Sequence, residues 1–167
     1  GQLLLELTGV PRELQLDDAF WPVFGHVVGQ RARDRVVVID GLDPAVRPAE
    51  DDLKALGAGA ASSGAVALFH LVGVTPEAPT RAVAFQQRQP EAHETVSTAE
   101  LRAARAALNT APGNTLDMVI LGSPHFSLAE FRRLAPLVDG KRAHSDVVFL
   151  VTTSRIMRQL ADEAGLL

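Results

Sequence analysis

The chain has 167 residues, 47% hydrophobic and 22% charged, with a formal net charge of −4 and a sequence pI of about 5.7. This length suits one globular domain. The Arg and Lys residues are scattered along the chain and form no basic stripe of the kind that predicts nucleic-acid binding. Cysteine is absent, which excludes a disulfide framework and a thiolate-held metal or cluster within these residues and fits the cytoplasm. No apolar run approaches the roughly 20 residues of a membrane helix, so no membrane segment is expected.

Short apolar runs alternate with helix-like segments along the chain. The predicted strands are residues 3–9, 35–40, 65–73, a short one around 82–87, 117–121 and 146–151. The predicted helices are residues 19–34, 48–64, 98–109, 128–138 and 155–165. Two S-x-x-E capping boxes, Ser97 with Glu100 and Ser127 with Glu130, mark helix starts.

Strands rich in Val, Ile and Leu are typical of a mostly parallel sheet that is buried on both faces. We therefore expect an α/β fold with helices on both faces of the sheet, in three α/β/α layers, and a single domain over residues 1–167. Ligands in such sheets bind outside the carboxyl ends of the strands. The turns of interest therefore follow Asp40, His70, Leu121 and Val151.

The glycine-rich stretch "GAGAASSG" (residues 57–64) resembles a phosphate-binding loop only superficially. A dinucleotide fingerprint follows a strand and opens a helix, whereas this stretch follows a helix and leads into a strand. Close helix packing and a helix end therefore account for it better than a cofactor site does.

Two histidines are candidate catalytic residues. His70 lies near the end of the apolar run "AVALFHLVG", where the alternative to a functional role is a satisfied core side chain. His125 follows Ser123 and Pro124 in a strand-to-helix turn. Helix N-termini bind anions, and Ser123 and His125 would add side-chain donors there; ordinary turn chemistry is the alternative.

The segment "VTTSR" repeats this arrangement after the last predicted strand. Thr152, Thr153, Ser154 and Arg155 place three hydroxyls and a guanidinium at a helix start. Capping explains one hydroxyl, and Arg can bind a carboxylate through two parallel hydrogen bonds. We therefore predict that these four residues and Ser123 bind an anionic substrate.

The order "LGSPHFSLAEFRRLAPLV…VVFLVTTSR", preceded by "RVVVIDGL" and "EDDLKALGAGAASSGAVALFHLVGVTPEA", resembles the large catalytic component of aconitase X. The resemblance runs from about Phe20 to Gly165. It implies an aconitase-like α/β/α fold and a hydro-lyase, acting either on cis-3-hydroxy-L-proline or on mevalonate 5-phosphate. It further implies a cysteine-held iron–sulfur cluster and a small swivelling partner domain.

Two departures from the family limit this expectation. The chain is less than half the length of the family's catalytic part, so we expect it to be an excised internal part of that larger chain. We also expect the isolated chain to be inactive. Val151 stands where aconitases have a cluster-binding Cys, and Ser123 stands where some relatives have Cys. Cluster ligands are therefore expected outside this chain, and no metal ligand is predicted within it.

The resemblance assigns roles to the candidate residues. Arg155 would hold a carboxylate or a phosphate, Ser123 and Thr152–Ser154 would bind substrate, and His125 or His70 would transfer a proton. Ser123 favours the hydroxyproline branch. The mevalonate 5-phosphate branch and a non-catalytic binding or interaction domain remain the alternatives.

Overall fold

A computed structural model describes residues 1–122 and 125–167. The chain divides into two compact units, Gly1–Thr110 and Ala111–Leu167, whereas the sequence pattern predicts a single domain. Among the described residues, no helix is long and apolar enough to cross a membrane.

The first unit contains four strands and five helices. The strands are β1 (Leu3–Thr8), β2 (Val37–Asp40), β3 (Phe69–Leu71) and β4 (Ala92–Ser97). The helices are α1 (Arg12–Gln15), α2 (Phe20–Ala32), α3 (Glu50–Gly64), α4 (Arg81–Ala84) and α5 (Thr98–Leu108). The strands form one sheet in the order β3-β2-β1-β4, and every neighbouring pair is parallel. The predicted parallel α/β fold is thereby confirmed.

The main core lies between this sheet and the three long helices. Alternate residues of β1, among them Leu3 and Leu5, pack with Phe24 of α2, Leu56 of α3 and Leu101 of α5. The opposite sheet face carries a smaller cluster around Leu4 and Val38, covered by α4 and its flanking residues. Long helices thus cover one face of the first sheet, and a single helical turn covers the other.

The glycine-rich stretch lies inside α3 and packs against α2, as the helix-packing interpretation predicts. A Cβ atom on Gly59 would lie 2.7 Å from the Pro22 carbonyl oxygen, and one on Gly64 would lie 1.8 Å from that of Gly29. Only glycine allows the two helix backbones to approach so closely.

The predicted strand around residues 82–87 is wrong, because the chain forms α4 there. The Thr80 hydroxyl caps this turn by accepting a hydrogen bond from the Val83 amide at 3.3 Å. Gln86 and Gln87 then adopt positive φ angles of 53° and 61°, which no strand allows. The fourth strand forms later, over Ala92–Ser97, and was not predicted.

The second unit contains β5 (Met118–Leu121), α6 (Leu128–Val138), β6 (Val148–Val151) and α7 (Arg155–Glu163). The two strands pair in parallel, with Leu121 opposite Val151. These two residues pack against a small core of Phe126, Phe131 of α6 and Ala161 of α7. Both helices therefore cover the same face of the two-stranded sheet.

Candidate functional site

Two strand-end turns lie side by side in the second unit, the β5–α6 loop and the β6–α7 turn. The Phe126 amide donates to the Thr152 carbonyl at 2.9 Å, and the Thr152 amide donates to the Leu121 carbonyl at 2.9 Å. Gly122 has a φ of +88°, and a Cβ atom there would lie 2.3 Å from the Thr152 oxygen. Glycine is therefore required where the two turns meet.

The two threonine hydroxyls connect these turns. The single proton of Thr152 Oγ1 is shared between the carbonyls of Gly122 at 2.9 Å and Leu121 at 3.2 Å. Thr153 Oγ1 donates to the Phe126 carbonyl at 2.6 Å. A hydroxyl has one proton to donate, so both threonines can offer a ligand only acceptor lone pairs.

Ser154 and Arg155 open α7. Ser154 is the N-cap residue, and its Oγ accepts a hydrogen bond from the Met157 amide at 3.1 Å. Its hydroxyl proton makes no hydrogen bond to any described residue. Arg155 is exposed, and within residues 1–122 and 125–167 its guanidinium forms no ion pair. The first turn of α7 contains no acidic residue, so its positive dipole end and Arg155 together favour an anion.

The start of α6 is less suited to an anion. Ser127 and Glu130 form the predicted capping box: the Ser127 amide donates to Glu130 Oε2 at 2.7 Å, and Ser127 Oγ accepts from the Glu130 amide at 3.1 Å. A carboxylate of the protein already lies at this helix end. His125 is exposed and lies directly before Phe126, so the loop that contacts Thr152 also carries this imidazole. Ser123 lies outside the described residues.

His70 belongs to the first unit, whereas His125 and residues 152–155 belong to the second. His70 is paired with Val38 in the sheet register. It therefore lies on the sheet face that carries the smaller core cluster. Its Nδ1 atom is buried and has no hydrogen-bond partner among the described residues. A buried polar atom without a partner is uncommon, and whether His70 has a functional or a core role stays a prediction.

A charged cluster on the first sheet was missed at the sequence level. Arg81 Nε donates to Asp40 Oδ2 at 2.7 Å, and Arg81 Nη2 donates to Glu6 Oε1 at 2.7 Å. His93 Nε2 lies 2.9 Å from Glu6 Oε2. The only sequence signal was Glu6 itself, a lone acid inside the apolar run "LLLELT".

The ion pairs of this cluster shift two pKa values. The pKa of Glu6 lies below its ordinary value, first because Arg81 donates a hydrogen bond to its carboxylate. The pKa of Arg81 is raised, first by the hydrogen bond to Glu6 and then by that to Asp40. The cluster therefore favours an ionised Glu6 carboxylate at neutral pH, and the charge of the Arg81 guanidinium is already compensated by its ion pairs.

The residues of this chain do not fit a thiolate-held iron–sulfur cluster. The sequence contains no cysteine, and the described residues contain no group of three His, Asp or Glu side chains placed to hold a metal ion. The site in the second unit instead combines the Ser154 hydroxyl, one guanidinium and one imidazole, and such hydrogen-bond donors suit an organic anion.

Comparisons with protein families match two successive domains. The aconitase X second domain matches residues 1–106, and the aconitase X third domain matches residues 116–167. These ranges follow the two compact units closely.

Individual relatives agree with these matches. Cis-3-hydroxy-L-proline dehydratases of Hypocrea jecorina and Pseudomonas aeruginosa are each 42% identical, over 100% and 90% of this chain. The phosphomevalonate dehydratase large subunit of Methanothermobacter thermautotrophicus is 35% identical over 92% of this chain. The chain spans 28%, 26% and 36% of the lengths of these three relatives.

A solved structure shares the fold. The crystal structure of Thermococcus kodakaraensis aconitase X in its holo-form superposes with a TM-score of 0.79 at 26% identity. The match covers 99% of this chain and 39% of that one.

Proposed function

Because the chain belongs to the aconitase X family, we propose that it forms the second and third domains of a longer hydro-lyase that dehydrates cis-3-hydroxy-L-proline to Δ1-pyrroline-2-carboxylate. One observation carries this proposal: two cis-3-hydroxy-L-proline dehydratases are 42% identical over nearly the whole chain. The phosphomevalonate dehydratase large subunits that match are between 28% and 35% identical.

The reaction defines what the site must do. A base removes the proton on the carbon that bears the carboxylate, and the neighbouring hydroxyl leaves as water with the help of an acid. The resulting enamine tautomerises to the cyclic imine, so the net change is the loss of one water molecule. Cationic or N–H groups must hold the carboxylate while charge develops next to it.

In this proposal Arg155 holds the substrate carboxylate at the start of α7. Its exposed guanidinium has no competing partner among the described residues, and Ser154 beside it has an unused hydroxyl proton. The dipole of α7 adds to the attraction of the guanidinium for an anion. Ser123 lies outside the described residues, and its predicted contact with the substrate stays a prediction.

Thr152 and Thr153 act mainly by positioning that loop. Their protons are used on backbone carbonyls of the β5–α6 loop, so they fix the backbone on either side of His125. His125 is our candidate for proton transfer in the second unit, and His70, with its buried unpaired Nδ1, is the candidate in the first. Both histidine roles remain predictions.

We place any iron–sulfur cluster of the complete enzyme on cysteines outside these residues, because this chain has none. Such a cluster, when bound, would supply a Lewis acid for the departing hydroxyl group. The small swivelling domain and the cytoplasmic location inferred from the family resemblance and the composition are further parts of the proposal.

The phosphomevalonate branch is the second candidate, and charge argues against it. A phosphate carries more negative charge than a carboxylate and calls for more cationic partners. Within residues 152–155 and the described part of the β5–α6 loop, Arg155 is the one side chain with a permanent positive charge. His125 is the other side chain there that can carry a positive charge. A non-catalytic binding domain is the third candidate, and it requires that the complete protein turn over neither substrate.

A direct assay separates the three candidates. The complete enzyme, purified anaerobically, is given cis-3-hydroxy-L-proline or mevalonate 5-phosphate, and the appearance of each dehydrated product is followed. We expect kcat/KM for cis-3-hydroxy-L-proline to exceed that for mevalonate 5-phosphate by at least about 100-fold, or roughly 3 kcal/mol of transition-state binding. The reverse preference would assign the phosphomevalonate branch, and no turnover of either would support a binding domain.

A further inference from the structure

The β3–α4 turn of the first unit contains a carboxylate to which no role has been assigned. The segments that connect the carboxyl end of a strand to the next helix contain two acidic residues, Asp43 and Glu77. Asp43 Oδ1 accepts a hydrogen bond from a backbone amide of its own loop at 2.8 Å. The strand residues Glu6 and Asp40 are paired with Arg81. Glu77 is exposed, and its carboxylate has no hydrogen-bond or ion-pair partner among the described residues. It is therefore free to bind a ligand at the edge of the sheet where ligands of parallel sheets bind.

The turn holds Glu77 on a fixed backbone. The Gly73 amide donates to the Ala78 carbonyl at 2.9 Å, and the Ala78 amide donates to the Thr75 carbonyl at 2.9 Å. Thr75 Oγ1 accepts a hydrogen bond from the Leu71 amide at 3.1 Å, which ties the turn to the end of β3. Ala78 is fully buried in the smaller core cluster. Because residues on both sides of Glu77 are anchored, its backbone loses little conformational freedom when the carboxylate binds a ligand.

The proposed substrate has one group that still lacks a partner. Cis-3-hydroxy-L-proline contains a ring nitrogen, and an aliphatic amine of this kind is protonated and positively charged at neutral pH. The guanidinium, hydroxyl and imidazole assigned above serve the substrate carboxylate and the proton transfer, and none of them is an anion. Mevalonate 5-phosphate contains no amine and carries more negative charge. A free carboxylate would therefore attract the first substrate and repel the second.

We propose that Glu77 binds the protonated ring nitrogen of the substrate and thereby selects a cyclic amino acid over a phosphorylated hydroxy acid. This inference rests on the proposed function, because only the hydroxyproline branch offers an amine. A carboxylate accepts charge-assisted hydrogen bonds from a protonated amine, and these are among the strong hydrogen bonds of proteins. Glu77 transfers no proton to or from the reacting carbons, so its role is substrate binding and specificity.

Glu77→Gln in the complete enzyme tests this role, with cis-2-hydroxycyclopentane-1-carboxylate as a matched probe. The probe keeps the carboxylate and the hydroxyl of the substrate and has a methylene group in place of the nitrogen. We expect Glu77→Gln to raise the KM for cis-3-hydroxy-L-proline, and its dissociation constant by calorimetry, by about 10- to 100-fold, the range for loss of one charged hydrogen bond. The kcat should change by less than about threefold, because uniform binding is lost. The inhibition constant of the probe should also change by less than about threefold, because the probe has no charge for Glu77 to bind.

Two further variants serve as controls. Glu91→Gln removes one negative charge from an exposed residue directly before β4, at the amino end of that strand, and its kinetics should be close to wild type. Glu77→Asp keeps the charge and should bind the substrate more tightly than Glu77→Gln does. Equal effects of Glu77→Gln on substrate and probe, or no effect on either, would overturn the inference and leave the proposed function intact. A wild-type enzyme that neither binds nor dehydrates cis-3-hydroxy-L-proline would overturn both.

Discussion

Replacement of Gly122 by Ala tests whether the two strand-end turns of the second unit are in the close contact described. Gly122 has a φ of +88°, and an added Cβ would meet the Thr152 carbonyl oxygen at 2.3 Å and the Phe126 amide nitrogen at 2.9 Å. Both neighbours are backbone atoms, so no side-chain rotation relieves the overlap. The turns must move apart, and the hydrogen bond from the Phe126 amide to the Thr152 carbonyl is the first to be lengthened.

The same unit contains a matched control. Gly140 has a φ of +66° and nothing within 4 Å of an added Cβ. Gly140→Ala should therefore lower the free energy of unfolding only by the backbone strain, about 1–2 kcal/mol. Gly122→Ala should lower the free energy of unfolding by a similar backbone strain and by a further amount of about 1–3 kcal/mol from overpacking. The expected difference in the free energy of unfolding between the two variants is therefore about 1–3 kcal/mol.

Urea unfolding followed by circular dichroism measures this difference, with the slope of the transition checked for constancy. In the complete enzyme we also expect Gly122→Ala to reduce kcat/KM more than Gly140→Ala does, because it displaces the loop that carries His125. Equal losses of stability in the two variants would show that the turns are not in contact and would remove the basis of the site.

Three further substitutions test individual contacts. Thr153→Val should cost about 1 kcal/mol of unfolding free energy, because the Phe126 carbonyl loses its donor; Thr153→Ser should cost less, and equal costs would contradict the assigned hydrogen bond. Ser97→Ala should cost about 1 kcal/mol through loss of the α5 cap, whose Oγ accepts from the Glu100 amide, and unchanged stability would refute this role. Arg81→Met should cost about 1 kcal/mol or less at pH 7, since these groups are partly exposed. The folded-state pKa of Glu6 is lowered from 4.5, so its stabilisation is present above that pH and is lost as the pH falls through the folded pKa. The effect of Arg81→Met should therefore shrink below about pH 4.5, and a pH-independent effect would contradict the ion pair.

Local signals in the sequence were sufficient for most of the elements. The β-branched run at residues 35–40 predicts a strand, and the structure has β2 at Val37–Asp40. Both capping boxes are present at the predicted helix starts. These features depend on residues within one turn or one strand, so their physics is contained in a short window.

The features that were missed depend on distant residues. The polar strand β4, "AHETVS", forms because it pairs with β1 along its whole length, and Glu94 meets Arg31 from α2. Arg81 joins Glu6 and Asp40, which lie 75 and 41 positions away in the sequence. Tertiary pairing of this kind overrides local β-propensity.

The two turns of the candidate site are adjacent in the structure, and their role in binding stays a prediction. Plain capping was expected to explain one of the three hydroxyls. Ser154 is indeed the cap, and the two threonine protons bind backbone carbonyls of the neighbouring loop. Only the positions of both turns in space reveal this use, because the bonds span about 30 residues.

The most direct test of the account is the kinetics of Arg155→Ala in the complete enzyme with cis-3-hydroxy-L-proline as substrate. Arg142→Ala, in the loop before β6 and exposed, is the matched control for loss of one positive charge. We expect Arg155→Ala to lower kcat/KM by about 100-fold or more, roughly the 3 kcal/mol of a charged hydrogen-bonded pair, with Arg142→Ala close to wild type. Unchanged kinetics for Arg155→Ala, with dehydration intact, would contradict the assignment of the β6–α7 turn as the carboxylate site.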